Sequence, residues 1–259
     1  MDLKEIEFWE HEYLEQLYYL LTIDKDKMLH GLDSKEDIRN DWEEYIVGKS
    51  QSDIAVGSER IFYWLFNQFG IPNSSPIGSD LFFETYNAYI HIDIKTVQKK
   101  NVTSDFARRI IVGKNQNTYE GKILYENKKF KENYYPHLPT YYNKGTSNEK
   151  ICLSFFIAIL NAETEKDIQS IILTCMPNGE LAKYYDDGLL ESDVNTKTGP
   201  LAPGKTGTEA RFRYTRFKTF DLLDDKPLRT KVIYWNEEMD KTTLKKLKEV
   251  RKIYLEQEK

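Results

Sequence analysis

Cysteine and histidine are scarce in this chain, and their scarcity removes several chemistries at once. There are two cysteines, Cys152 and Cys175, with no Cys-x-x-Cys spacing. That excludes a zinc finger and argues against a disulfide scaffold. Both sit in apolar runs that read as strands, so buried free thiols are expected. The four histidines are His11, His30, His91 and His137, and none forms a His-x-x-x-His pair. Long apolar runs are missing too. No stretch approaches the length of a membrane span, and the start Met1-Asp-Leu-Lys-Glu lacks the apolar segment of a signal peptide. A cytoplasmic protein with no membrane partner is expected. No repeat or low-complexity tract appears.

A surplus of positive charge is also lacking, since the net charge is −5. The distribution says more than the sum. Residues 1–94 hold 7 Lys and Arg against 19 Asp and Glu; residues 95–150 hold 12 against 5; residues 151–259 hold 18 against 18. Basic character is concentrated in the middle of the chain. With 259 residues, 40% of them hydrophobic, there is enough chain for a sizeable core.

What is present is an arrangement of two acids and a lysine. In Tyr89 to Val97 the side chains alternate sides, as in any strand. One face carries Ile90, Ile92 and Ile94; the other carries His91, Asp93 and Lys95. Gly78 to Glu84 runs antiparallel to Ala88 to Lys95 if Tyr86-Asn87 is a two-residue turn, with Asn87 supplying the positive φ such turns need. Thr85 then faces Ala88, and counting back sets Asp80 opposite Asp93. Opposed side chains on one face have Cβ atoms about 4.5–5.5 Å apart. Two bare carboxylates at that distance repel, and a hard divalent cation such as Mg²⁺ relieves the repulsion by taking both as ligands. Lys95 projects beside the same ion, where it could orient a water or hold a phosphate oxygen. That is a phosphodiester hydrolysis site. The competing reading is a solvated strand face with a weak ion pair.

Asp80 followed by Asp93-Ile94-Lys95 resembles the PD-(D/E)XK nuclease superfamily, and within it the type II restriction endonucleases. Ser79 stands where a proline often precedes the first acid, with Pro76 a little earlier. The resemblance covers about residues 52–100. It implies Mg²⁺ held by Asp80, Asp93 and the main-chain carbonyl of Ile94, with Lys95 activating water. It also implies a further acid on the helix preceding the hairpin, a role Glu59 would fill, and 5′-phosphate products. His91 shares the face of Asp93 but reads as a packed residue.

Along the rest of the chain, residues 5–47 read as two helices with a turn at Gly31-Leu-Asp-Ser, and Ser52 to Phe69 as a helix stopped by Gly70 and Pro72. Bases and aromatics interleave between Gln98 and Lys150, a pattern suited to phosphate neutralisation and stacking. Lys99, Lys100, Arg108, Arg109 and Lys114 are candidate DNA contacts, and the amides Asn115, Gln116 and Asn117 candidate readers of base edges. A solvated loop is the alternative. Lys150 to Leu160 and Ile168 to Cys175 read as buried strands extending the hairpin sheet. Gly179 to Leu190 reads as a short helix and Glu191 to Thr208 as a polar linker. Arg211 to Lys218 reads as an alternating strand offering Arg211 and Arg213 to DNA, or as an edge strand protected by charge. Lys231 to Trp235 reads as a strand and Glu237 to Glu258 as a charged helix.

The resulting expectation is an α/β protein with a restriction-endonuclease-like core, a central mixed β-sheet flanked by α-helices. It is read as a single nuclease domain over 1–259. A helical extension spans 1–50, the core spans 52–100 and 150–235, a DNA-binding insertion 98–149 and a C-terminal helix 237–258. The expected function is Mg²⁺-dependent, sequence-specific cleavage of double-stranded DNA by a homodimer matched to a palindromic site. A structure-specific repair nuclease or resolvase, and a non-catalytic DNA-binding module, remain open at this point.

Overall fold

Runs of apolar residues too long for simple alternation dominate the middle of the chain, and they make its central strands. The computed structural model describes residues 1–32, 61–62, 65–66, 71–72, 77–98, 108–125, 131–161, 168–185, 188–192, 210–216, 219–239, 241–242, 244–245 and 247–248. Its first sheet contains β1 (Ile71–Pro72), β2 (Leu81–Glu84), β3 (Ala88–Gln98), β7 (Tyr141–Tyr142), β8 (Lys150–Asn161), β9 (Ile168–Met176) and β12 (Thr230–Trp235). The order is β1-β2-β3-β8-β9-β12, with β7 also paired to β8. β3 and β8 are parallel, while the other neighbours are antiparallel. The sheet is therefore mixed, as expected. Every residue of β8 after Lys150 is buried, and so is every residue of β9. A strand covered on both faces has no polar side to alternate with. Cys152 and Cys175 are both buried free thiols.

The N-terminal helix α1 (Leu3–Ile23) begins where the Asp2 carboxylate accepts the Glu5 N–H at 2.8 Å. It buries Ile6, Tyr13, Leu14, Leu17 and Leu21 in the same core as the sheet. Its buried face also carries Glu7 and Glu10. Arg229 Nη2 meets Glu10 Oε2 at 2.6 Å and Glu7 Oε1 at 3.3 Å, all three side chains being fully buried. Pairing of this kind is what lets charge remain inside. Burial pushes the Glu10 carboxyl up, with Arg229 opposing. This helix thus packs into the core of the sheet. Residues 25–32 are helical as well, so Gly31 and Leu32 lie in a helix and not in the expected turn. The second helix expected over Asp37 to Val47 lies outside the described residues. Of the helix expected over Ser52 to Phe69, residues 61–62 and 65–66 are helical, with Phe62, Leu65 and Phe66 in the core.

A second sheet was not foreseen. Its order is β4 (Ile110–Ile111), β11 (Ala210–Phe212), β10 (Leu190–Ser192), β5 (Gly121–Tyr125) and β6 (Lys131–Tyr134). Described parts of the basic middle segment thus supply three of this sheet's strands, β4, β5 and β6. Three other expectations fail here. Among the described residues, Gly179 to Leu190 holds one 3-10 turn, Gly179–Leu181, capped by the Asn178 side chain. Glu191 belongs to the fully buried strand β10 and not to a linker. The strand read over Arg211 to Lys218 ends at Phe212, and residues 214–216 form a turn. In each case, pairing with a distant segment outweighs local pattern: β10 lies parallel to β5 on one side and antiparallel to β11 on the other. Residues 241–242, 244–245 and 247–248 are helical, in line with the expected C-terminal helix. No described helix is long and apolar enough to cross a membrane.

Candidate active site

The hairpin forms in the expected register. Leu81 pairs with Ile92 and Glu84 with Tyr89, which sets Asp80, one step further, against Asp93. The turn is Tyr86-Asn87, closed by Thr85 N donating to Ala88 O at 2.9 Å. Asn87 does not take a positive φ. Side chains define this turn instead. Thr85 Oγ1 accepts from Ala88 N at 3.1 Å, Tyr13 OH of α1 donates to Thr85 Oγ1 at 2.8 Å, and it also reaches Asn87 Oδ1. A core helix thereby holds the hairpin tip.

β3 carries Asp93 and Lys95 between β2 and β8, so its register is fixed from both sides. Ile90 and Ile92 point into the core. On the other face, Asp93 is 2% exposed and ion-paired with Lys95 Nζ. Asp80 Oδ2 accepts the Ile94 N–H at 2.6 Å, which ties the first acid to the strand bearing the second. A cavity of about 440 Å³ opens here, lined by Gly78, Ser79, Asp80, Asp93, Gly113, Lys114, Asn115, Gln116 and His137. Both acids line it. The lysine is held from the opposite side, with Lys95 Nζ donating to Gln116 Oε1 at 3.1 Å. That same oxygen accepts the Gly113 N–H at 2.6 Å.

One glycine makes the two walls of the cavity meet. Gly78 has φ +70°, and a Cβ there would fall 1.9 Å from Asn115 O. Both the backbone conformation and the close approach require glycine. Asn115 Oδ1 lies 2.6 Å from His137 Nδ1, and His137 N donates to Lys114 O at 2.8 Å. His137 and the role of Gln116 as lysine partner were missed in the sequence. Nothing in local spacing links Gln116 to Lys95, which lie 21 residues apart and meet through the fold.

The remaining candidates divide. Lys114, Asn115 and Gln116 line the cavity. Asn117 does not belong with them: it is fully buried, its amide donating to Gly113 O at 2.9 Å and Tyr134 OH at 2.8 Å, its Oδ1 accepting from Tyr119 N. Arg109 is 5% exposed and sits 3.5 Å from Glu191. Arg108 is half-buried, and its carbonyl accepts from Thr215 N. Arg211 lies in β11, opposite Glu191, and Arg213 just beyond it. Glu59, Lys99 and Lys100 lie outside the described residues. His91 is packed, as expected. It contacts Ser79 Oγ at 3.3 Å and Tyr142 OH at 3.2 Å, and burial holds its pKa down to about 4.

Among the described residues, no cluster of three or more His, Cys, Asp or Glu forms that could hold a metal. The site offers two carboxylates at opposed positions on one open cavity. Lys95 brings one positive charge to these two negative ones. Hard oxygen donors in this number, facing open space, suit a divalent cation that keeps several waters.

A mixed sheet whose hairpin opposes two acids, with a lysine two residues beyond the second, defines a nuclease of the PD-(D/E)XK type. The fold is similar to the tetrameric restriction endonuclease SfiI, solved bound to cognate DNA (TM-score 0.67, 14% identity, 92% of this chain and 88% of that one). It is also similar to the restriction endonuclease BglI, solved bound to its DNA recognition sequence (TM-score 0.60, 14% identity, 81% of this chain and 86% of that one). No curated protein matches the sequence. Residues 2–166 match the family described as Type II restriction enzyme MwoI, N-terminal domain, and residues 168–235 match its central domain. The chain belongs to this MwoI family, and it is a type II site-specific deoxyribonuclease.

Proposed function

We propose that the chain cuts both strands of a specific duplex sequence, using Asp80, Asp93 and Lys95 as its reaction centre. The observation that carries this reading is the register itself, which sets Asp80 against Asp93 on the cavity wall, with Lys95 paired to the second acid. Asp80, Asp93 and the Ile94 carbonyl would hold Mg²⁺. When bound, that ion supplies Lewis acidity to the phosphate and lowers the pKa of a coordinated water. Lys95 orients the attacking water and balances charge on the phosphate oxygens. Gln116 holds the ammonium group beside Asp93. Water adds to phosphorus as the 3′ oxygen leaves with a proton, giving 5′-phosphate and 3′-hydroxyl ends. Glu59 would contribute a further acid. Lys99, Lys100, Arg108, Lys114, Asn115, Arg211 and Arg213 contact the duplex. Two copies related by two-fold symmetry match a palindromic site, each cutting one strand. The domain spans residues 1–259, and the protein acts in the cytoplasm.

Plasmid digestion tests this. With Mg²⁺ the protein gives discrete fragments, and chelation stops cutting. Lys95→Ala lowers the rate by on the order of 10²–10⁴-fold while gel-shift binding of the same DNA persists. Cutting by Lys95→Ala at the original rate would remove the proposed centre, and a smear without discrete fragments would remove sequence specificity.

A further inference from the structure

We propose that Glu191 is a positioning residue that holds Arg213 and Arg216 ready for acceptor atoms of duplex DNA. The inference rests on the nuclease reading above and assigns roles to two residues that reading leaves out. Glu191 sits in β10, the middle strand of the second sheet, with its side chain 5% exposed. Arg213 Nη1 donates to both of its oxygens, at 3.0 and 2.9 Å. Arg216 Nη2 lies 2.6 Å from Oε1, and Arg109 Nη1 lies 3.5 Å from Oε2. Among the described residues, three guanidinium groups thus gather on one carboxylate.

The inner and outer members of this cluster differ. Arg109 is buried, whereas the side chains of Arg213 and Arg216 keep 26% and 40% of their surface in solvent. Arg216 is also seated from below. Its Nη1 donates to Gly188 O at 2.6 Å, and a Cβ at position 188 would fall 2.2 Å from that nitrogen. The space occupied by the guanidinium is therefore space that any larger residue would fill. A single arginine paired bidentately already satisfies a carboxylate. Two more exceed what charge balance of Glu191 requires. The fork geometry of arginine suits phosphate oxygens and the O6/N7 pair of guanine alike. Fixing long side chains before binding removes an ordering cost at the moment of contact.

β11 pairs with β4 antiparallel, Arg211 against Ile111 and Phe212 against Ile110, so Arg213 leaves this pair at the end opposite the Gly113–Gln116 loop of the cavity. Thr215 N donates to Arg108 O, which carries Arg216 further the same way. The outer arginines would therefore meet the duplex away from the phosphate that is cut.

The test uses full-length Arg213→Ala, Arg216→Ala, Glu191→Gln and Glu191→Asp with a random-sequence duplex library. Binding is measured across a salt series, and cut ends are sequenced. Each arginine variant is expected to bind about ten- to a hundred-fold more weakly. If the guanidinium meets guanine, the consensus relaxes at one position. If it meets phosphate, the consensus stays and the slope of log affinity against log salt falls by about one. Glu191→Gln should show the same kind of defect, milder and mostly in KM, with partial rescue by Glu191→Asp. Wild-type affinity, slope and consensus in all four overturn the proposal, as does a defect that follows melting temperature alone. Lys95→Ala, run alongside, separates the two readings. If it stops cutting while the arginine variants behave as wild type, only the present inference falls. If it still cuts, the nuclease centre itself is wrong.

Discussion

In the first sheet, β3 and β8 pair over eleven consecutive positions, from Ala88–Ile151 to Gln98–Asn161; in the second, the longest ladder spans four, from Gly121–Tyr134 to Leu124–Lys131. Asp80, Asp93 and Lys95 sit on or beside the long ladder. Arg109, Arg213 and Arg216 sit just past the ends of the short ones. A long ladder buried on both faces resists slippage, because a one-residue shift would turn every side chain over. Short ladders lack that protection and rely on particular side chains. Glu191 gathers arginines across β10 and β11, Asn117 ties its own loop to Tyr134, and Tyr119 OH donates to Tyr185 O at 2.5 Å. Rigidity in one sheet comes from repetition, and in the other from chosen contacts.

Four measurements probe this contrast, beginning with the largest effect. Phe155→Ala, at a fully buried position of β8, should destabilise the whole protein by about 3–5 kcal/mol in urea unfolding. An unfolding midpoint close to wild type would mean the long ladder is not what holds the fold. The second concerns His91, whose pKa burial lowers from 6.5 to about 4. Between those values the unfolded chain binds a proton that the folded one does not. Stability therefore rises with pH across this window and is lost as pH falls through it, by at most about 3 kcal/mol. Metal-free unfolding at pH 7 and pH 4.5 should show the slope, and His91→Gln should flatten it.

Gly78→Ala comes next, at the junction of the two sheets. Strain at positive φ costs about 1–2 kcal/mol, and the new Cβ must displace the Asn115 carbonyl. Cleavage should fall more than melting temperature does; equal losses would mark Gly78 as a folding residue alone. The smallest effect is expected from Gln116→Ala. Loss of a hydrogen bond to a charged group is worth about 1.5–3 kcal/mol, and solvent at the open cavity offsets part of that. A roughly tenfold lower kcat with unchanged DNA binding is expected. An unchanged kcat would show that Asp93 alone aims the lysine.

The same contrast decides what could be read beforehand. The hairpin register was legible because Ile90, Ile92 and Ile94 alternate with His91, Asp93 and Lys95, and because Tyr86-Asn87 leaves few turns to choose from. β8 and β9 were legible from uninterrupted apolar runs. β10 was not, since Leu190–Ser192 is three residues long and carries a glutamate at its centre. No period exists in so short a segment, and a charged residue there reads as solvent-facing unless its arginines are known to arrive. Asn117 misled for a related reason. An amide among basic residues suits a groove, yet its partners Gly113 O and Tyr134 OH are supplied by the folded loop around it. Gln116 was noticed for its amide, while the bond its oxygen makes to Lys95 has no signal in the local sequence.

The Lys95 ammonium is gripped from both directions, by Asp93 on its own strand and by Gln116 at the end of the loop that leaves β4. A fragment spanning the hairpin and its two buried neighbours would therefore contain all three signature residues and still lack half of what holds Lys95 in place. Grafting those three onto another scaffold would transplant the alphabet of this enzyme without its syntax.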